Sequence, residues 1–290
     1  MGEQWREIAD RVYVRRHRSL DLNIGLVAGD GGCLVIDTRS HLGQARELIA
    51  AIREVTADPW TVVNTHAHFD HYFGNQEFRP APVWGTARAA EIIRAYGQVH
   101  RAWTLDIYRK EGLDEDLAYT EQVVPDPPDR TFTGEATLDI GGRPVVLRHL
   151  GRGHTDGDLV VDVADTDVVF AGDLVEEGAP VGFGDAFPLD WPDTVAALTG
   201  LVRGPVVPGH GDVVDRAYVE NQHQDLVRTA TLARELYAAG RDVDQAWTEL
   251  QPWLSEGEAR FALGRAYRQL DGLPPYDPPE VMLAEITGGR

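Results

Sequence analysis

The sequence has a single cysteine, Cys33, which excludes an internal disulfide, and its place in the apolar run Cys33-Leu34-Val35-Ile36 predicts a buried, inert thiol. Positive charge is scarce: Lys110 is the only lysine, and 27 basic residues against 47 acidic ones leave a formal net charge of -20 at pH 7. A chain this acidic lacks the basic face that displaces counterions from phosphate, which argues against nucleic acid as a partner. No apolar run approaches the roughly 20 residues that cross a bilayer, and the opening MGEQWREIAD has neither a basic head nor an apolar core. The expectation is a cytoplasmic protein with no membrane segment. The glycine clusters at Gly29–Gly32 and Gly182–Asp185 lack a phosphate-loop lysine or dinucleotide spacing, so they read as turns and no nucleotide site is expected. Short repeats and low-complexity tracts are missing too.

What is present suits a globular enzyme: 290 residues can bury a substantial core. Arg11–Arg16, Leu22–Ala28 and Cys33–Asp37 have the β-branched and aliphatic content of strands. Leu42–Val55 has helical periodicity, and Trp60–Asn64 reads as a short buried strand. Thr86–Val99 predicts a helix, and the stretch from there to Pro128 predicts an insertion of short helices and loops. Strand signals return at Ala136–Ile140, Pro144–Leu150, Leu159–Ala164 and Val168–Ala171. Asp190 and Pro192 start a helix to about Val202, Pro205–Pro208 is another short strand, and the chain after Tyr218 is helical almost to Leu270, with breaks at Gly240 and near Pro252. The order β-α-β followed by a second strand-rich half predicts an α/β fold of sheets covered by helices.

Chemistry concentrates in Asn64-Thr65-His66-Ala67-His68-Phe69-Asp70-His71-Tyr72-Phe73-Gly74-Asn75, which packs three imidazoles and a carboxylate into six positions after a strand. Neutral imidazole and carboxylate are the usual nitrogen and oxygen donors for zinc and similar ions. Ten histidines spread over the chain rarely gather in this way by chance, so the segment predicts metal ligation. Taken singly, His154 and His210 read as structural histidines, and Asp173 as a turn or cap.

The pattern His66-x-His68-x-Asp70-His71 after an apolar strand resembles the signature of the metallo-β-lactamase superfamily. Gly153-His154-Thr155-Asp156-Gly157-Asp158, Phe170-Ala171-Gly172-Asp173 and Pro208-Gly209-His210-Gly211 resemble its remaining motifs, in order. The resemblance covers roughly residues 10–216 and implies a four-layer αββα sandwich. Residues 1–216 would form the catalytic domain, and 217–290 a helical extension packed on it. It implies two divalent metal ions, zinc first and manganese or iron as alternatives. His66, His68 and His154 would hold one ion, Asp70, His71 and His210 the other, and Asp173 would bridge both. A hydroxide held between the ions would attack the substrate, with Asp70 orienting it as the catalytic carboxylate.

Around these residues, Asp37, Thr65, Thr155 and Asp158 are candidates to hydrogen-bond the ligands, or ordinary caps and turns. Tyr72 and Asp156 are candidate proton donors, with core packing the alternative for Tyr72. Phe183, Phe187, Trp191, Trp103 and Tyr108 line a pocket or fill the core. Arg228, Arg234 and Arg260 read as a solvated face, on a tail suited to capping the site, dimerising or binding a carrier.

Within the superfamily, Asp173 resembles the bridging residue of glyoxalase II-type thioesterases and lactonases, where true β-lactamases generally have cysteine or serine. The expected function is hydrolysis of a small-molecule ester, thioester or lactone. The alternative is a mono-iron dioxygenase of the persulfide type; diiron relatives typically have glutamate where His68 stands. β-Lactamase, phosphodiesterase and inactive binding protein are the remaining, less favoured readings.

Overall fold

The structure, a computed structural model, describes residues 3–288. The chain divides into two compact units, one holding residues up to Leu147 and again from Asp277, the other Arg148–Tyr276.

The first unit is built on a seven-stranded sheet of β1 (Trp5–Ala9), β2 (Val12–Arg16), β3 (Asn23–Ala28), β4 (Cys33–Ile36), β5 (Trp60–Val63), β6 (Val83–Thr86) and β7 (Arg130–Phe132), neighbours in that order. Strands β1 to β4 run antiparallel, whereas β4 to β7 pair in parallel. Parallel neighbours need crossovers, and the helices supply them. They are α1 (Leu42–Val55) after β4, α2 (Phe69–Tyr72) and α3 (Asn75–Phe78) after β5, and α4 (Ala87–Glu111) and α5 (Asp114–Thr120) after β6. The expected stripe on α1 is buried at Leu42, Ala45, Leu48 and Ile52. Leu48 and Ile52 join Ile24, Leu26, Val35, Val62, Phe78 and Val83 in one core. Each such aliphatic side chain, fully buried, contributes about 1.5–3 kcal/mol. Cys33 is in this core as expected; its Sγ faces the Pro59 carbonyl at 3.8 Å and burial pushes its thiol up to about 11. Strands β8 (Glu135–Ile140) and β9 (Arg143–Arg148) follow as a hairpin around Gly141 and Gly142.

Two differences from the sequence reading have physical causes. Helix α4 runs 25 residues, well past Val99, because its buried face continues through Thr104 and Tyr108; it ends where Gly112 turns left-handed at φ 72°. Polar Thr104 and exposed Trp103 hide that face from a hydrophobic pattern. Strand β1 went unpredicted because it is only partly buried, so its WREIA sequence shows no clean alternation.

The second unit has β10 (Val160–Val163) antiparallel to β11 (Val168–Glu176), which lies parallel to β12 (Val206–His210). β11 extends beyond the expected Ala171, and all nine of its residues are buried. Its helices are α6 (Trp191–Leu201), α7 (Arg216–Ala238), α8 (Val243–Ala246) and α9 (Glu256–Leu270). The break after α7 falls at Gly240, φ 68°, as expected. Trp191, Val195, Leu198, Val219, Leu226 and Leu263 belong to one core with the strand residues Val169 and Val206. The final helix, α10 (Pro279–Ile286), belongs to the first unit and lies against α4. Among the described residues no helix is long and apolar enough to cross a membrane.

Candidate metal centre

In the first unit β5 ends at Val63 and delivers Asn64, Thr65 and the histidine segment; His68 is the N-cap of the single-turn helix α2, which carries Asp70 and His71. His66, Asp70 and His71 are buried, with the His66 ring centroid 4.7 Å from that of His68 and 4.2 Å from that of His71. Asp70 Oδ2 lies 3.4 Å from His71 Nε2.

Asp37, just past β4 and held at φ 67°, organises these rings. Its Oδ1 accepts the Thr65 N–H at 2.8 Å; its Oδ2 accepts the Thr65 hydroxyl at 2.8 Å and His71 Nδ1–H at 2.8 Å. A carboxylate only accepts, so the Thr65 hydroxyl proton points to Asp37 and the hydroxyl oxygen accepts from His66 Nδ1 at 3.0 Å. Both imidazoles are thereby fixed as Nδ1–H tautomers that present Nε2 to a ligand. Beneath them, Asn64 Nδ2 donates to the His71 carbonyl and to Asn75 Oδ1, both at 3.0 Å, and Asn75 Nδ2 returns a bond to Asn64 Oδ1 at 2.8 Å. Gly74 is demanded by close approach: a Cβ there would strike the Thr38 carbonyl.

In the second unit the parallel pairing of β11 and β12 brings Asp173 beside His210. Asp173 Oδ2 stands 3.4 Å from His154 Nε2 and 3.3 Å from His210 Nε2, so one carboxylate oxygen is flanked by two imidazole nitrogens. Gly209 makes room for it, since a Cβ at that position would collide with the Asp173 carboxylate. The His154 loop is closed by Asp158, whose carboxylate accepts the Thr155 N–H at 3.0 Å and hydroxyl at 2.6 Å. Trp191 packs edge-on against the His154 ring at 5.6 Å.

Glu176, unremarked in the sequence, adjoins this group: Oε1 lies 3.5 Å from His154 Nδ1, and the carboxylate accepts the Gly182 N–H at 3.2 Å. Burial, then the charge of Asp173, raises its pKa to about 8. Residues three apart on a regular strand face opposite ways, so Asp173 and Glu176 show no common pattern; the register irregularity of β11 between Gly172 and Glu176 alters that.

The donor chemistry fits divalent metal. A tetrahedral ion with bonds of about 2.0–2.1 Å holds its ligand atoms about 3.3 Å apart, the spacing found at Asp173 and at the Asp70–His71 pair. Each unit therefore assembles its own share of the predicted ligands: His66, His68, Asp70 and His71 in the first, His154, Asp173 and His210 in the second.

Of the flanking candidates, Asp37 and Thr65 bond the ligand rings directly, whereas Thr155 and Asp158 bond each other. Tyr72 is fully buried, its ring edge-on to Phe73 at 5.0 Å, so it fills the core. Phe183, Phe187 and Trp191 are likewise buried, and Tyr108 with them, while Trp103 is exposed with its ring edge near Phe69. Arg228 and Arg234 are exposed, as a solvated face implies, and Arg260 is partly exposed; Arg228 and Arg260 also lie over the Trp253 and Trp247 rings at 4.1 and 5.1 Å.

The family model described as metallo-beta-lactamase superfamily matches residues 20–240. A Gallus gallus protein named acyl-coenzyme A thioesterase MBLAC2 is 29% identical over 220 residues, 70% of this chain and 76% of its own. A hydroxyacylglutathione hydrolase of Rhodospirillum rubrum is 28% identical over 145 residues, 50% of this chain and 43% of its own. In fold, the chain is similar to the inverting sec-alkylsulfatase Pisa1 from Pseudomonas sp., with a TM-score of 0.74 at 14% identity, covering 96% of this chain and 52% of the sulfatase. The histidine and aspartate motifs thus sit within the span of the family match, and the chain belongs to the metallo-β-lactamase superfamily, with its α/β fold, as a metal-dependent hydrolase.

Proposed function

We propose that this protein hydrolyses small acyl substrates, thioesters first and esters and lactones next, with two divalent metal ions, zinc by preference. The observation that carries the reading is Asp173, one oxygen of which stands between the Nε2 atoms of His154 and His210. On the family pattern His66, His68 and His154 would hold one ion, Asp70, His71 and His210 the other, and Asp173 would serve both. Such ions, when bound, acidify water and polarise a carbonyl oxygen.

The chain's own groups supply positioning and charge. Asp37 and Thr65 hold the His66 and His71 tautomers, so ligand nitrogens need no reorganisation. Asp70 accepts a hydrogen bond from the attacking water and aligns it. Glu176 lies beside His154, with Oε1 3.5 Å from Nδ1, and adds a buried carboxyl to the second unit's share of the ligands. Thioesters rank first for two reasons: the Gallus gallus relative is named an acyl-coenzyme A thioesterase and the bacterial one a hydroxyacylglutathione hydrolase, and aspartate at the bridging position resembles that branch rather than true β-lactamases.

Elemental analysis and a panel of thioesters, lactones and phosphodiesters test this on the wild type and Asp173→Ala. The expected result is about two zinc ions per chain and thioester hydrolysis, with hydrolysis reduced by at least about 100-fold in the variant. One iron per chain with oxygen consumption in place of hydrolysis would replace the proposal by a persulfide-type dioxygenase.

A further inference from the structure

A cavity among the described residues gathers positive charge in this acidic chain. It lies in the second unit, measures about 480 Å³, and is lined by Arg152, Arg234, Arg265 and Arg268 against a single carboxylate, Asp190. That carboxylate is engaged: Oδ2 pairs with Arg152 Nη2 at 2.5 Å and accepts from Gln269 Nε2 at 3.2 Å. Arg265 donates from Nε to the Gly184 carbonyl at 2.6 Å and from Nη1 to the Pro275 carbonyl at 2.5 Å. Arg268 reaches the Pro274 carbonyl at 2.9 Å. Carbonyl acceptors orient a guanidinium without neutralising its charge.

The four arginines come from three places: the loop before His154, α7 and α9. Capping of the Pro274–Pro275 turn accounts for Arg265 and Arg268, but not for Arg152 and Arg234 converging on the same space. Gathering like charges costs Coulomb energy that a bound anion offsets, and four guanidiniums against one carboxylate suit a multiply charged one. Guanidinium forks match phosphate oxygens bidentately. Phe187, 4.6 Å beneath the Arg152 guanidinium, gives the cavity an apolar wall.

We infer that this cavity is a binding site for a diphosphate-bearing group, the anionic handle of the substrate. The inference rests on the thioester reading only for what the diphosphate is attached to. Arg152 precedes His154 by two residues, so their backbones lie within about 7 Å. The loop that carries a metal ligand therefore also carries one wall of the anion site.

Titration calorimetry of the full-length, metal-loaded protein with inorganic diphosphate at low salt provides the test. Binding is expected in the wild type and weakened at least about tenfold in the Arg234→Gln, Arg268→Gln double variant, as loss of charge-assisted bonds requires. It should persist in Arg88→Gln, a partly exposed arginine of the first unit, and in His66→Ala. Should the double variant misfold by circular dichroism, Arg234→Gln alone, on the exposed face of α7, is read instead, with a weakening of at least about threefold expected. Absence of binding overturns the inference, as does binding that survives the arginine changes and disappears in His66→Ala, which places the anion on the metals. The handle role is read from KM: the ratio for a diphosphate-bearing thioester over a plain one should rise in the variant, and an unchanged ratio overturns it. Arginine-dependent diphosphate binding without any thioester hydrolysis would sink the thioester reading and leave the anion site standing.

Discussion

Asp37 accepts three hydrogen bonds, from the Thr65 N–H, the Thr65 hydroxyl and His71 Nδ1, and a carboxylate has an acceptor lone pair for each. Asp37→Asn keeps the shape but presents an amide that can turn N–H groups toward those donors, releasing the His66 and His71 tautomers. Metal affinity should fall about 10- to 100-fold, measured by competition with a chromophoric chelator, while the circular dichroism spectrum stays that of the wild type. Unchanged affinity would mean that the rings are held by packing alone. Gly209→Ala puts a methyl group where the Asp173 carboxylate stands. The expected outcome is loss of at least one metal equivalent by elemental analysis with little change in far-ultraviolet circular dichroism; full metal content in this variant would show that the carboxylate can move aside. Both substitutions act within a few ångströms, where hydrogen-bond direction and van der Waals contact are decided.

Helix α1 begins with a titratable cap. His41 Nδ1 accepts the Gln44 N–H at 3.3 Å while Nε2–H donates to Asp116 Oδ1 at 2.7 Å, an arrangement open only to the neutral ring. Burial lowers the His41 pKa from the ordinary histidine value, overriding the opposite pull of Asp116. A histidine depressed in the folded state stabilises it above the unfolded pKa near 6.5, and that contribution is lost as pH falls through this value toward the folded pKa. His41→Asn keeps a good N-cap side chain without the titration. Melting temperature should therefore drop more between pH 7 and pH 5 in the wild type than in His41→Asn, by differential scanning calorimetry; parallel profiles would remove His41 from the acid response.

Metal ions couple to the stability of the molecule, because ligands gathered by folding bind them far better than the unfolded chain does. At free zinc about 1,000-fold above Kd the stabilisation is about 4 kcal/mol. Chelation should lower the melting temperature of the wild type by several degrees and leave Asp173→Ala nearly where it started. An identical shift in both would point to zinc bound elsewhere. The net charge of -20 bears on the same scale: an anionic ligand approaches a negative field and needs local arginines to bind, so its affinity should depend steeply on ionic strength.

The local order of this chain determined much of what could be known without coordinates. The period of Leu42–Val55, the aliphatic runs of β3 to β5 and the density of imidazoles from His66 to His71 are one-dimensional signals, and the family pattern placed His154, Asp173 and His210 in the same ligand set. Tertiary structure alone decided the rest. The bond from Asp37 to His71 joins residues 34 apart, and the pairing of β11 with β12 sets Asp173 against His210. Glu176 meets His154 only because β11 is irregular, and the four arginines of the cavity converge from a loop and two helices. Periodicity reports which side of an element is buried. It carries no information on which side chains from distant elements share a hydrogen bond or a volume, since that depends on how the chain closes on itself.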